Sequence, residues 1–223
     1  MAQSRQTGKG KTANREEQSG RSYNSANGVE GKPDKYRRIL DAAVKVIAEK
    51  GFHNSRVSEI AERADVADGT IYLYFKSKDQ ILMAALDHGF QSFLQRAREE
   101  VAGASDPREK LRILARLHLR SLAQNRSMAV VLQTELRQSL KFLTEFSQRE
   151  MKAYFNVMRE IVREGQQAGV IRADVSDVIA ASCLFGSLDE LVTAWVLSSK
   201  DYDLAGSADP VVDLLLHGLE VHP

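Results

Sequence analysis

The chain has a single cysteine, Cys183, so no internal disulfide and no cysteine-based metal centre can be built. Set in an apolar helical run, Cys183 reads as a small core residue of a protein kept in a reducing compartment. No run approaches the roughly eighteen apolar residues that cross a bilayer, and the first thirty residues lack the apolar centre of a signal segment. The expected location is the cytoplasm, with no membrane partner. No segment alternates apolar and polar residues as a half-buried strand does, and there is no internal repeat. Gly-x-Ser-x-Gly elbows, phosphate loops and dinucleotide fingerprints are missing. His53, His88, His118, His217 and His222 are scattered, with no spacing that makes a metal site. Asp189 and Glu190 are adjacent, but helix neighbours point about 100° apart and cannot flank one scissile bond. The sequence therefore offers no catalytic residues, no metal and no cofactor, and it reads as a protein that is not an enzyme.

What is present is a chain of 223 residues, 43% apolar, enough for a real core and too much for general disorder. The net charge of +1 conceals an asymmetry. The first 80 residues hold 15 Lys+Arg against 11 Asp+Glu, and the remainder 16 against 19, so the amino-terminal part faces anions. Residues 1–32, rich in Gln, Ser, Gly, Asn and basic groups, bury too little to offset the entropy of ordering and read as a disordered arm.

Pro33 opens a first helix with the stripe Ile39, Ala43, Val46 and Ile47, ended by Gly51, and Phe52 and Val57 seal a small core. The stretch Ser58–Lys78, SEIAERADVADGTIYLYFKSK, then packs two short helices and a tight turn into about twenty residues. Ile60, Ala61 and Ala64 form the first apolar stripe, and Val66 fills the turn. Asp68 is expected to cap the second helix, with Gly69 leaving its start bare so that backbone can approach phosphate. Ile71 and Phe75 point inward. The remaining face, Thr70, Tyr72, Tyr74 and Lys76, suits a groove lined by phosphates, thymine methyls and base edges.

The run VADGTIYLYFKSKDQIL, residues 66–82, resembles the TetR family of transcriptional repressors. The resemblance implies a three-helix reading head that enters the major groove, followed by a larger helical domain that senses a ligand and dimerises. The division expected here is a helix–turn–helix domain over 33–79, its motif at about 56–75, and a ligand-binding and dimerisation domain over 80–223. DNA contacts are expected from Arg56, Ser58, Asp68, Gly69, Thr70, Tyr72, Tyr74, Lys76 and Lys78.

The body reads as six further helices, making nine in an all-α fold. Ser77 caps the fourth, with Gln80 in a near capping box and Leu82, Leu86, Phe90 and Phe93 along its buried edge. Asp106-Pro107 opens a fifth that runs to about Gln124. Apolar periodicity marks 127–138, 140–167 and 175–198, and Asp209-Pro210 opens a last helix through Val221. Apolar residues nearly encircle the last helix, and small residues line the one before it. A homodimer through Leu184, Leu191, Trp195, Val212, Leu215, Leu216 and Leu219 is the expected way to bury them. A ligand pocket is expected among Phe90, Phe93, Leu94, His118, Leu132, Leu136, Phe155, Met158, Phe185 and Leu188, with Arg116 and Arg137 as partners for a charged effector. Arg108, Arg112, Arg116 and Arg120 also read as a solvated face paired with acids.

LQTELRQ (132–138) and FGSLDELVTAWVLSSKDYDL (185–204) look like the sensing domain of the fatty-acid-degradation repressors of the TetR family. That resemblance implies a long-chain acyl-coenzyme A effector whose tail occupies a helical tunnel and whose arrival releases a palindromic operator. Movement of the fourth helix would alter the separation of the two heads. Three other readings stay open on sequence alone: a repressor for another apolar effector such as a drug, an acyl-thioester-handling enzyme using His118, and a DNA-organising protein that senses nothing.

Overall fold

The computed structural model describes residues 32–146, 150–200 and 202–219. The arm expected over 1–32 lies, but for Lys32, outside them. The head comprises α1 (Lys32–Lys50), α2 (Val57–Arg63) and α3 (Asp68–Tyr72). The body comprises α4 (Lys78–Ala102), α5 (Pro107–Ala123), α6 (Arg126–Val130), a π-helical turn (Val131–Glu135), α7 (Leu136–Gln138), α8 (Leu140–Phe146), α9 (Lys152–Gln167), α10 (Asp177–Leu197), a 3-10 turn (Ala205–Ser207) and α11 (Ala208–Leu219).

Local chemistry sets most of these boundaries. Gly51 ends α1: its N–H donates to the Ile47 carbonyl at 2.8 Å, and its φ of +79 then turns the chain out of the helix. The corner between α2 and α3 turns on Asp65 at φ +54, a left-handed position that aspartate tolerates better than most side chains, and Val66 N–H reaches the Ala61 carbonyl at 3.0 Å. Ser77 Oγ accepts from Gln80 N–H at 3.2 Å to cap α4. Asp106 caps α5 by accepting from Arg108 N–H at 2.9 Å.

Three sequence expectations give way. Asp68 is the first residue of α3 rather than its cap: Ala67 holds the cap position and its carbonyl accepts from Thr70 N–H at 2.8 Å. The segment 127–138 is a helical run, but a π turn interrupts it, and no residue type there announces the extra residue. The last helix starts at Ala208 behind the 3-10 turn, so Asp209 is in its first turn, where its carboxylate binds Arg116 rather than capping. Of the expected helix over 140–167, α8 and α9 are described, residues 147–149 between them lie outside the described residues, and so does the expected end at Val221.

Two apolar clusters hold the described chain together, and α4 serves both. Its start, with Ile81, Leu82 and Leu86, packs with Ile39, Ile47, Ile60, Ile71 and Phe75 of the head. Farther along, Leu94 and Ala97 pack with α5, α9, α10 and α11. Phe90 touches both clusters. The head cluster also takes Val131, Leu136, Phe142 and Phe146 from the body, because three short helices bury too little apolar surface to close a core alone.

The sequence reading found no run long enough to cross a bilayer, whereas α10, at 21 residues and mean hydropathy 1.4, is long and apolar enough by composition. Ala180, Ala181, Leu184, Leu188, Val192 and Trp195 turn one side of it into the body core, which is how a central bundle helix meets the same measure. Cys183 lies on its outer side and is exposed, correcting the expected core position.

Candidate nucleic-acid interface and effector cavity

Around α3 the outward side chains follow helical spacing. Gly69, Tyr72 and Leu73 stand at i, i+3 and i+4, Lys76 follows at the bend past the helix end, and all four are exposed, whereas Ile71 and Phe75 are buried. Thr70 and Tyr74 sit at the flank, half-buried, and the Tyr74 ring tilts against Tyr36 at 6.0 Å. A Cβ at Gly69 would meet nothing within 4 Å, so packing within the chain gives no reason for a bare position there. Arg56, Ser58 and Asp68 are exposed near the same end. Leu73, which the sequence reading passed over, is 82% exposed and lies in the middle of this stripe. Its spacing from Gly69 and Lys76 was the available signal.

Lys78 departs from its expected place. Its ammonium donates to the carbonyls of Phe52 and Ser55, the latter at 2.7 Å, and lies 4.5 Å above the Phe52 ring. Burial lowers its pKa from the ordinary lysine value. Lys78 thus ties α4 to the α1–α2 corner and is withdrawn from the outward basic set.

A cavity of about 550 Å³ opens within the body between α4, α5, α9 and α10 and the run α6–α7. Of the residues expected in a ligand pocket, Phe90, Phe93, His118, Leu132, Leu136, Arg137 and Phe185 line it. The other five expected residues do not. Leu94, Met158 and Leu188 are buried in the body core, and the Phe155 ring is tilted against Phe185 with centroids 5.0 Å apart. Arg116 is turned away to Asp209 at 2.6 Å and Glu109 at 2.9 Å. With Arg112 on Asp213 at 2.7 Å and Arg120 on Glu100 at 3.0 Å, it belongs to the paired face.

The sequence reading missed Phe146, Met151 and Tyr154, which extend the apolar wall, and Arg96, Asn125, Gln133 and Asp189, which make part of it polar. These come from helices whose inward faces only the packing defines. Inside, His118 Nδ1 and Tyr154 Oη are 3.0 Å apart, and the rings of Phe93 and Tyr154 meet edge-on at 5.0 Å. Burial lowers the His118 imidazole to about 4 against the opposing pull of Asp189, and raises the Tyr154 hydroxyl. Both are neutral near pH 7, so neither adds charge to the wall. Asp189 is held by Gln133 at 2.9 Å and by Arg137, and Arg96 stands exposed at the edge.

The expected dimer residues divide in two. Leu184, Trp195, Val212 and Leu216 are buried within the protomer, while Leu191, Leu215 and Leu219 are half-buried. The outward faces of the same helices instead present Ile179, Cys183, Gly186 and Leu197 on α10 and Leu214 on α11, the last 76% exposed. No atom lies within 4 Å of where a Cβ at Gly186 or Gly218 would be, which leaves room for another helix.

Residues 39–85 match the family of bacterial regulatory proteins described as the tetR family, and residues 86–218 match the C-terminal region of YsiA-like proteins. The fatty acid metabolism regulator protein of Bacillus subtilis is 41% identical over 188 residues, covering 84% of this chain and 97% of the relative. The fatty acid degradation regulator FadR of Bacillus halodurans superposes with a TM-score of 0.78 at 42% identity, covering 83% of this chain and all of that one. FadR from B. subtilis, solved in complex with stearoyl-CoA, gives the same TM-score at 40% identity over 84% of this chain and all of its own. With both halves matched and relatives aligned along nearly their whole length, the chain belongs to the TetR family of bacterial transcriptional regulators.

Proposed function

We propose that the protein is a homodimeric repressor of fatty-acid metabolism that binds a palindromic operator in the cytoplasm and is released from it by a long-chain acyl-coenzyme A. The domain division supporting this reading is the one expected from the sequence, a reading head over 33–79 and a sensing and dimerising body from residue 80. Tyr72, Leu73 and Lys76 enter the major groove. Gly69 and Thr70 bring the start of α3 against a phosphate, with Asp68 and Tyr74 at the margin, and Arg56 and Ser58 grip the backbone from α2. Two copies meet through the outer faces of α10 and α11, which sets their heads about one DNA turn, ~34 Å, apart.

The observation that carries the effector is the cavity. Its aromatic and aliphatic wall, with the two polar groups His118 and Tyr154 neutral and bonded to each other, accepts an acyl tail at no cost in buried charge. Arg96 and Arg137 at its polar side are suited to phosphate oxygens. The similar regulator that holds stearoyl-CoA supports the same class of ligand here. Membership of this family makes the chain a transcriptional regulator rather than an enzyme.

The test uses an operator duplex selected from random sequence by the purified protein and read by fluorescence anisotropy. Micromolar stearoyl-CoA is expected to weaken operator binding at least tenfold, and free coenzyme A to leave it unchanged. Unaltered operator affinity with stearoyl-CoA would overturn the effector assignment while leaving the operator-binding reading intact.

A further inference from the structure

Resting on the reading just proposed, we infer that Glu135 is the positioning residue through which occupancy of the cavity reaches the reading head, by holding the backbone of Phe52. The run 126–138 has two working sides. Leu132, Gln133, Leu136 and Arg137 face the cavity. Between them, Glu135 points the opposite way, and its Oε2 accepts from Phe52 N–H at 2.8 Å. Gly51, the left-handed residue that ends α1, lies beside this bond: a Cβ there would be in van der Waals contact with Glu135 Oε1 at 3.6 Å. The bond joins residues 83 apart in the chain. Phe52 is held from other sides as well: Lys78 at the start of α4 and Ser55 Oγ both donate to its carbonyl, and Phe142 of α8 meets its ring edge-on at 5.2 Å. Five residues beyond Phe52 the chain enters α2, so the hold on this corner sets how the helix–turn–helix sits on the sensing body.

The segment carrying Glu135 has a built-in second state. Val131–Glu135 is a π turn, in which one more residue is accommodated than an α-helical turn holds. Reversion to α geometry rotates the end of the turn and the residues after it by about 100°, the angle of one residue, and carries the carboxylate of Glu135, the last residue of the turn, off the Phe52 N–H. A ligand tail pressing on Leu132 and Leu136 bears on that turn directly. The ligand shifts the equilibrium by as much as it prefers one state of the turn, and the operator, which needs the heads fixed, prefers the other.

The experiment measures coupling, which a merely structural contact does not move. Full-length wild type, Glu135→Ala and Glu135→Gln are titrated with the selected operator duplex with and without saturating stearoyl-CoA, and with stearoyl-CoA with and without operator. Glu135→Ala is expected to bind stearoyl-CoA within about threefold of wild type, with the stearoyl-CoA effect on operator affinity reduced at least fivefold. Glu135→Gln keeps an acceptor oxygen for Phe52 N–H and is expected to retain most of the effect. Reciprocity requires the operator's effect on stearoyl-CoA affinity to fall by the same factor in Glu135→Ala. A second readout needs no substitution. In wild type, stearoyl-CoA is expected to speed hydrogen exchange at the Phe52 amide while the Gly51 amide, bonded inside α1, stays protected. Full coupling in Glu135→Ala, or an unchanged Phe52 amide, overturns the inference alone. A wild-type protein that binds the operator but ignores stearoyl-CoA removes the effector reading, and the inference with it.

Discussion

Leu73→Ala is expected to weaken operator binding, and to do so most where the duplex carries a particular thymine methyl. Leu73 is 82% exposed in the free chain, so almost none of its apolar surface is spent on the fold. Complete burial of a leucine side chain is worth about 1.5–3 kcal/mol, and a groove floor covers one side of it, leaving about 1 kcal/mol per head. Two heads give about 2 kcal/mol, or roughly a 30-fold loss of affinity. The partner can be removed from the other side, since deoxyuridine differs from thymidine by the 5-methyl group alone. Replacing the contacted thymine in both half-sites costs about 0.8 kcal/mol per methyl. Anisotropy titrations of wild type and Leu73→Ala on thymine and uracil operators then form a double-mutant cycle. If the leucine meets the methyl, the combined loss falls short of the sum by about 1–1.5 kcal/mol, because each change removes the same contact. Losses that add to within about 0.3 kcal/mol at every thymine tested would refute the reasoning and leave Leu73 as a solvent-facing residue.

Lys78→Met is expected to cost about 1–3 kcal/mol of stability in denaturant unfolding, since carbonyls of Phe52 and Ser55 lose their donor; the slope of log affinity against log salt should stay at the wild-type value, where a phosphate contact would lower it by about one. Leu214→Asp is expected to raise the dimer dissociation constant at least tenfold in sedimentation equilibrium, and a wild-type constant would show that the exposed face of α11 is not the interface. The imidazole of His118 is held near 4 by burial, below its ordinary 6.5, so the unfolded chain binds a proton that the folded chain refuses. Its contribution is whole above about pH 6.5 and falls as pH drops toward 4, by about 1.4 kcal/mol per unit and about 3 kcal/mol in all. His118→Gln should therefore lose less stability than wild type between pH 7 and pH 4.5, and parallel losses in the two proteins would contradict a neutral buried imidazole.

The head was legible because its signals are local. Gly51, Ser77 and the apolar spacing of Ile60, Ala61 and Ala64 act within one or two helical turns, and each was found where it was expected. Asp68 misled by one position because aspartate is favoured both at the cap and in the first turn, where it complements the helix dipole. Leu73 was missed because the face was read by residue chemistry, as hydroxyls, rings and ammonium, rather than by the angle at which each side chain leaves the helix. In the body, apolar periodicity located the helices but could not say which apolar residues meet a void. Met158 and Tyr154 are both fully buried residues of α9, yet only Tyr154 borders the cavity, and that depends on the rotation of α9 against α4 and α5. Leu216 and Leu214 divide in the same way between core and surface on α11.

Taken by itself, the amino-acid order determined the all-helical class, the reading head and the family, because capping groups, glycine at a helix end and 3.6-residue periodicity all work over a few residues of chain. The cavity wall, the outer faces of α10 and α11, the redeployment of Lys78 and the bond from Glu135 to Phe52 were decided by tertiary structure alone. Each depends on side chains distant in sequence meeting at one place, and the relative rotation of packed helices that brings them together leaves no mark in any single segment.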